Sequence, residues 1–294
     1  MTKVTLHLVD GTYELFRAYF AVPSQVGATG QEVGATRGLV QTLLSLCSRP
    51  EVTHVACAFD HVIESFRNDL YAGYKTGEGL PAELTSQFEL AERATRALGI
   101  VTWPMVEFEA DDGLATAAAR FAADERVEKV VVCSPDKDLL QCVQGSRVVC
   151  WDRQRDKIYD EPGVIEKLGV TPRLVPDFLA LVGDTADGIP GIPRWGKTSA
   201  ARVLMQVGSL EGIPERAADL GFTLRGADAL IASLNQLRSE AALYKRLATL
   251  RLDAPLPEAL EDLEYKGPAR REFELFLKEI DAESVLSRVT RFSD

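Results

Sequence analysis

Carboxylates recur at or just beyond the ends of short apolar runs in the first half of the chain. Four acids stand in such places: Asp10 after the run 4–9, Asp60 after the run 52–59, and Asp136 and Asp138 after the run 130–133. Short runs that are apolar almost throughout predict strands buried on both faces. Ligands bind beyond the carboxyl ends of parallel strands, so we expect these acids at one edge of a sheet.

Further acids come from a helix start and from a loop. Glu109, Asp111 and Asp112 open a predicted helix just after a strand, and Asp184 and Asp187 follow another helix. Each acid, taken singly, could be a helix cap or a turn residue. Together they make nine, and like charges gathered without cations raise one another's pKa. We therefore expect bound cations at this cluster.

Oxygen ligands with no histidine or cysteine at ligand spacing suit Mg²⁺ or Mn²⁺. The three histidines, His7, His54 and His61, lie in or beside strands, so zinc is not expected. Nine carboxylates are enough for two ions, and two ions about 4 Å apart can activate a water and stabilise a leaving oxygen. The residues alone thus predict metal-dependent phosphoryl chemistry.

The elements that must position these acids alternate over roughly the first 170 residues. Strands are predicted at 4–9, 52–59, 100–103, 130–133 and 147–151, and helices at 35–48, 82–98, 112–123 and 138–143. This alternation predicts an α/β fold with a mainly parallel sheet flanked by helices. A helical module follows, with helices at 172–182, 198–207, 227–246 and 268–279.

The segment Gly191–Thr198 fits the P-loop pattern G-x-x-x-x-G-K-[ST] at every position. Its context does not suit a nucleotide site, because Pro190 and Pro193 disfavour the buried strand that precedes a P-loop. The other interpretation is a glycine-rich turn before a helix, where backbone N–H groups and Lys197 would bind a nucleic-acid phosphate. A P-loop NTPase is kept as a third hypothesis.

The chain has 33 basic and 44 acidic residues, a net charge of −11, which by itself argues against a nucleic-acid partner. The distribution argues the other way, since residues 188–251 hold nine basic and five acidic side chains. In the segment 65–75, Arg67 and Lys75 alternate with aromatic residues such as Tyr74, as in surfaces that bind single strands. Either segment could also be a solvated helix face.

Six separated motifs resemble those of the 5′-nuclease family, which includes the 5′→3′ exonuclease domain of bacterial DNA polymerase I and the flap endonucleases. They are Leu8-Val-Asp10-Gly, Ala58-Phe-Asp60, Ser65-Phe-Arg67 with Tyr74-Lys75, Glu109-Ala-Asp111-Asp112, Asp136-Lys-Asp138-Leu and Gly183-Asp184-x-x-Asp187-x-x-Pro-Gly191. The resemblance implies a PIN-like core with a C-terminal helix–three-turn–helix DNA-binding module. We expect a catalytic domain at 1–172 with an arch region at about 61–95. A helical domain is expected at 173–294, with its helix–hairpin–helix-type module at about 176–210.

The resemblance also implies a stand-alone, metal-dependent 5′→3′ exonuclease or flap endonuclease that cleaves DNA, or RNA in hybrids, near junctions of single and double strands. By similarity, Asp10, Asp60, Glu109, Asp111, Asp112 and Asp136 would serve one ion, and Asp138, Asp184 and Asp187 the other, with Asp136 close to both. Lys75 would contact the scissile phosphate, and Arg67 would assist. The hairpin residues Gly191, Arg194, Gly196, Lys197 and Thr198 would hold duplex phosphates and a K⁺ ion.

Two positions depart from the family pattern. Glu78 stands three residues after the arch lysine, where the family has arginine, and Arg194 and Trp195 replace glycine and isoleucine in the hairpin. All nine acids are present, so loss of catalysis is not indicated. The alternative hypothesis is a protein that binds flaps or junctions with weak or lost turnover.

Compartment and assembly follow from simpler signals. The five cysteines show no CxxC spacing and predict buried, reduced thiols. No apolar run approaches the ~20 residues of a membrane span, and no charged leader with an apolar stretch precedes the first strand. We expect a cytoplasmic protein with no membrane partner, and the resemblance implies a monomer.

Overall fold

The strands and helices of this chain are known from a computed structural model, which describes residues 3–294. The strands are β1 (Val4–Asp10), β2 (His54–Asp60), β3 (Val101–Met105), β4 (Val127–Cys133), β5 (Val148–Asp152) and β6 (Lys157–Tyr159). The α-helices are α1 (Gly11–Ala21), α2 (Gly34–Cys47), α3 (Phe66–Leu70), α4 (Ala82–Thr85), α5 (Phe88–Ala97), α6 (Ala110–Ala122), α7 (Glu161–Leu168), α8 (Val175–Val182), α9 (Lys197–Val207), α10 (Ala227–Gln236), α11 (Arg238–Ala248) and α12 (Arg270–Glu279). Short 3-10 helices occur at Asp138–Cys142, Pro172–Leu174, Ala217–Leu220, Leu260–Leu263 and Glu283–Arg288.

The chain divides into two units that are interleaved along the sequence. The first unit consists of the described residues up to Ile63, of Gly77–Ser134 and of Arg251–Asp294. The second consists of Glu64–Thr76 and Pro135–Leu250. These units group the residues that contact one another most densely in space. The domain boundary at residue 172 is inferred from the sequence alone, and it stays a prediction.

The first unit is built on parallel strands in the order β3-β2-β1-β4. Leu8 in β1 pairs with Ala56 on one side and Val132 on the other, and all three are fully buried. This burial explains the apolar runs. Since β1 and β2 are parallel neighbours, their last residues, Asp10 and Asp60, come out at the same edge, as the sequence predicts.

The second unit is mostly helical. The buried helix α8 packs against α9 and α11, and β5 and β6 form an antiparallel pair in which Trp151 opposes Ile158. The short helix α3 belongs to this unit although it comes early in the chain. An α/β fold with a mainly parallel sheet and a helical module is therefore confirmed.

The predicted strands are all present, with ends shifted by a few residues, but two predicted helices are divided. The helix expected at 82–98 is interrupted before Phe88, where the buried Gln87 side chain accepts hydrogen bonds from the backbone N–H and the hydroxyl of Thr36. The helix expected at 227–246 is two helices, α10 and α11. The segment expected at 138–143 is a 3-10 helix.

The structure also bears on the thiols and on membrane spans. None of the five cysteines, all of which lie within residues 3–294, forms a disulfide; four are buried, and Cys142 is half-buried. Between residues 3 and 294, no helix has both the length and the apolar character that crossing a bilayer requires.

Candidate metal centre and nucleic-acid interface

Three acids of the second unit converge. One carboxylate oxygen from each of Asp138, Asp184 and Asp187 lies within 4.8 Å of the other two, a spacing at which the three could hold a metal ion. Asp138 and Asp184 are buried, at 4% and 5% exposure, and Asp187 is half-buried. The geometry and the all-oxygen donor set suit a hard divalent cation.

The electrostatics of this group favour an added positive charge. Burial raises the pKa of Asp138 well above its ordinary value, and the carboxylates of Asp136 and Asp187 raise it further. The buried Asp138 Oδ1 atom makes no hydrogen bond. A bound cation would satisfy this oxygen and offset the repulsion, so the residues fit the metal that the chemistry implies.

Lys137 already brings one positive charge to the group. Its Nζ donates a hydrogen bond to Asp184 and lies 3.7 Å from Asp138 Oδ1. Burial lowers the pKa of Lys137, but the carboxylates of Asp138 and Asp184 outweigh burial and leave the pKa raised. Lys137 is not among the site residues predicted from the sequence, although a lysine between two acids proposed as metal ligands is a visible signal.

The loop after α8 brings Asp184 and Asp187 to the same place. Asp184 and Ile189 exchange two backbone hydrogen bonds of 2.8 Å, which close the turn between them. Gly191 has φ +72°, and a Cβ atom there would lie 2.5 Å from the nitrogen of Gly183. Only glycine allows this close approach, which explains why position 191 is a glycine.

Lys75 belongs to the same unit and reaches the same loop. Its Nζ is 3.2 Å from Asp187 Oδ1, and its backbone N–H donates to the Asp187 carbonyl at 3.0 Å. The adjacent Tyr74 side chain is 4% exposed, with the Lys75 ammonium 5.7 Å from its ring centroid. A buried ring cannot stack on a base, so the position of Tyr74 gives no support to the predicted contact.

Arg67 has a structural role in this position. The side chain is 1% exposed, and its guanidinium donates to the carbonyls of Leu247 at 2.8 Å and Thr249 at 3.2 Å. These carbonyls lie at the C-terminal end of α11, where the last turn of a helix leaves carbonyls without partners inside the helix. The predicted contact of Arg67 with nucleic acid is not supported, because the guanidinium is buried and used within the protein.

In the first unit, the acids at the strand ends are tied to helix starts. Asp10 caps α1 through the Tyr13 N–H at 2.8 Å and accepts a hydrogen bond from Ser134, also at 2.8 Å. Asp60 Oδ1 accepts from the Ala110 N–H at 2.8 Å, at the start of α6. The capping interpretation therefore holds for both, since each carboxylate accepts a hydrogen bond from a backbone N–H group at a helix start.

Around the start of α6 the structure gathers further acids. Asp112 accepts hydrogen bonds from the backbone N–H groups of Glu109 and Arg251, at 3.0 and 2.8 Å. Glu109 and Asp112 are buried, and Asp111 is half-buried in the same first turn. The positive end of the helix dipole stabilises this concentration of negative charge. Asp60, Glu109 and Asp112 thus meet at one helix end.

The hairpin before α9 is held by a residue that departs from the family pattern. Trp195 is buried and donates from Nε1 to the Leu230 carbonyl at 3.0 Å. Its neighbour Arg194 is exposed and has φ +74°, a left-handed conformation that costs a non-glycine residue energy. Gly196, Lys197 and Thr198 are exposed at the start of α9.

A cavity of about 360 Å³ lies beside this hairpin and is lined by Lys137, Asp184, Gly196 and Lys197, among others. No strand occurs between residues 160 and 294, so the hairpin follows a turn and has no preceding strand. The P-loop hypothesis is therefore wrong, since that motif needs a buried strand directly before the loop.

Two adjoining family models match this chain over residues 5–271. Residues 5–169 match the model described as "5'-3' exonuclease, N-terminal resolvase-like domain", and residues 170–271 match "5'-3' exonuclease, C-terminal SAM fold". The chain belongs to the 5′-3′ exonuclease family. The resemblance inferred from six motifs is thereby confirmed, and so is the prediction of a nuclease-type enzyme.

Relatives within the 5′-3′ exonuclease family differ in length. A 5′-3′ exonuclease of Aquifex aeolicus is 30% identical over 289 residues, which cover 98% of this chain and 96% of that one. DNA polymerase I of Pseudomonas aeruginosa is 37% identical over 281 residues. That match covers 92% of this chain and 30% of the polymerase. The chain thus spans under a third of that relative.

The fold of this family member also matches a distant solved structure. A bacteriophage T5 flap endonuclease, in a pseudo-enzyme-product complex with DNA and metal ions, superposes with a TM-score of 0.64 at 19% identity. The match covers 83% of this chain and 88% of that one. It supports the PIN-like α/β core and the helical module as the shared architecture.

Proposed function

We propose that this 5′-3′ exonuclease family member is a divalent-metal-dependent 5′→3′ exonuclease and structure-specific 5′-flap endonuclease. It would hydrolyse DNA phosphodiesters near junctions of single and double strands. The observation that supports this most directly is the convergence of Asp138, Asp184 and Asp187, with one buried oxygen free of hydrogen bonds. A group of this kind is suited to hold a cation.

Two Mg²⁺ or Mn²⁺ ions are proposed. Asp138, Asp184 and Asp187 would hold one, and Asp10, Asp60, Glu109, Asp111 and Asp112, with Asp136, would hold the other. When bound, such ions supply an activated water and stabilise the leaving oxygen. Hydrogen bonds at helix starts and turns already hold these acids in place. Little reorganisation of the site is therefore needed when charge develops in the transition state.

The cationic side chains would handle the substrate's phosphates. Lys75 is half-buried against Asp187, and its ammonium is proposed to stabilise the charge that grows on the scissile phosphate. The exposed residues Arg194, Lys197 and Thr198, with Gly191 and Gly196 of the same hairpin, would bind duplex phosphates. A K⁺ ion at this hairpin, cleavage of RNA/DNA hybrids, a monomeric state and a cytoplasmic location belong to the same proposal.

The test is cleavage of a 5′-labelled flap oligonucleotide with Mg²⁺, with Mn²⁺ and with EDTA. Asp184→Asn keeps the size of the side chain but removes its charge, and we expect a loss in cleavage of about 10²-fold or more. DNA binding by anisotropy should stay within about threefold, since the hairpin is untouched. The matched control is Asp228→Asn, an exposed acid on α10. Cleavage by Asp184→Asn at the unaltered rate, or cleavage in EDTA, contradicts the proposal.

The second candidate is a junction-binding protein without turnover, which Glu78 favours because it places an acid near the proposed catalytic lysine. This candidate predicts that the chain binds the flap oligonucleotide but does not shorten the labelled strand with either Mg²⁺ or Mn²⁺. Glu78→Arg would then raise cleavage, because the arch regains a cation. If the unaltered chain shortens the labelled strand with either metal but not in EDTA, the junction-binding candidate is excluded.

A further inference from the structure

Lys75 is fixed through its backbone from two sides. Its N–H donates to the Asp187 carbonyl at 3.0 Å, and its own carbonyl accepts from Asn68 Nδ2 at 2.9 Å. A lysine side chain is long and flexible, so the direction in which its ammonium points depends on how firmly its backbone is held. Asn68 supplies the second of these backbone hydrogen bonds.

Asn68 is itself held in one orientation. Its Oδ1 accepts from the Ser65 N–H at 2.8 Å, as part of a capping box at the start of α3. The two ends of one amide therefore connect the helix start to Lys75. A five-residue helix is too short to be stable alone, and Arg67 anchors this one to the end of α11.

The opposite side of Lys75 is equally close. Gly188 has φ +73°, and a Cβ atom there would lie 2.2 Å from the carbonyl oxygen of Gly73. The loop that carries Asp187 thus approaches the segment 73–75 more closely than a side chain at position 188 would allow. Lys75 lies between α3 and the loop of a proposed metal ligand.

We propose that Asn68 is a positioning residue, which sets the place of the Lys75 ammonium through its hydrogen bond to the Lys75 carbonyl. The inference rests on the proposed function, in which Lys75 acts on the scissile phosphate. Misplacing a catalytic group by about 1 Å can cost about 10²-fold in rate, so one backbone bond can matter to turnover. Neither the motif pattern nor the charge of the segment points to this asparagine.

The variant that isolates this bond is Asn68→Asp. A carboxylate keeps the acceptor for the Ser65 N–H and suits a helix start, but it cannot donate to the Lys75 carbonyl. We expect kcat on the flap substrate to fall about tenfold with KM within about twofold, because substrate binding is untouched. The matched control is Ser65→Ala, which removes the other half of the capping box and leaves the bond to Lys75; its kcat should stay within about twofold.

The same substitution in a Lys75→Ala background completes a double-mutant cycle. If Asn68 acts through Lys75, Asn68→Asp should change kcat there by less than about twofold. Amide hydrogen exchange of the segment 71–76 should quicken in Asn68→Asp and stay unchanged in Ser65→Ala. An equal loss of kcat in both backgrounds, or an unchanged kcat in Asn68→Asp alone, overturns the inference. Full activity of Lys75→Ala overturns the proposed role of Lys75 as well, which separates the two failures.

Discussion

Lys137 donates a hydrogen bond from its ammonium to the carboxylate of Asp184. The same ammonium lies 3.7 Å from Asp138 Oδ1, so it brings positive charge to two of the three acids proposed as metal ligands. A lysine and a divalent ion near the same carboxylates compete for them. Lys137 would then stabilise the protein without metal and lower its affinity for the ion.

Lys137→Met tests this competition. The variant should bind Mn²⁺ about tenfold more tightly, because the acids lose a competing charge, and calorimetry would measure this affinity. In EDTA, its free energy of unfolding should fall by about 2 kcal/mol or more, since buried carboxylates lose their partner. Lys266→Met, at an exposed lysine, serves as control. Weaker Mn²⁺ binding by Lys137→Met would show that the lysine supports the ion.

The raised pKa of Asp138 makes stability depend on pH. The acid is protonated in the folded protein at pH values where the unfolded chain, with a pKa near 3.8, has lost the proton. Its contribution to stability is therefore complete below 3.8 and is lost as pH rises through the folded pKa. In EDTA, the unfolding free energy of the unaltered chain should fall relative to Asp138→Asn as pH rises above 3.8. Urea titrations across pH measure this difference, and a difference that is constant with pH contradicts the assignment.

Metal binding should show the opposite trend with pH. A metal ligand must be deprotonated, so Mn²⁺ affinity is expected to rise as pH passes through the raised pKa of Asp138. Calorimetry at several pH values, with the proton release measured in two buffers, would follow it. Asp138→Asn should bind Mn²⁺ more weakly and lose most of this pH dependence.

Arg194 allows stability and DNA binding to be separated. Its left-handed backbone favours glycine, so Arg194→Gly should raise the unfolding free energy by about 0.5–1 kcal/mol. The same change removes a proposed phosphate contact. Affinity for duplex DNA should therefore fall. The slope of log affinity against log salt concentration should become shallower by about one unit, because one phosphate contact is lost. Arg194→Asn, which tolerates the conformation, should share the loss of affinity. Unchanged binding in both variants would remove Arg194 from the interface.

Arg67 should matter to stability more than to DNA affinity. Arg67→Met leaves two carbonyls at the end of α11 without their charged donors and should cost about 2–3 kcal/mol in urea unfolding. Below the melting range, affinity for the flap oligonucleotide should stay within about twofold. Arg225→Met, at an exposed arginine, should change neither quantity. A large loss of affinity with stability preserved would restore the predicted contact of Arg67 with DNA.

The strands could be predicted because a strand buried on both faces requires an almost continuous run of apolar residues. Leu8, Ala56 and Val132 are apolar for a reason that holds wherever parallel strands pair. The helix break before Phe88 has no such signal. It coincides with a hydrogen bond from the backbone N–H of Thr36 to the side chain of Gln87, two residues far apart in sequence.

The acids of the candidate site were recognisable by type and position, and the structure shows Asp138, Asp184 and Asp187 together. The cations were harder to interpret. Charge and aromatic spacing made Arg67 and Lys75 look alike, yet Arg67 is buried against α11 and Lys75 reaches Asp187. That difference depends on carbonyls of Leu247 and Thr249, which nothing near residue 67 could indicate.

Arg67 and Leu247 are joined by a hydrogen bond across 180 positions of sequence. The ribosome makes the chain from its N-terminus, so the proposed metal ligands emerge well before this partner. A nascent chain that stops short of residue 249 cannot yet anchor α3, and Lys75 lacks its support. Closing so long a loop also costs conformational entropy. We therefore expect α3 to gain this anchor, and Lys75 its support, only after residue 249 has been synthesised.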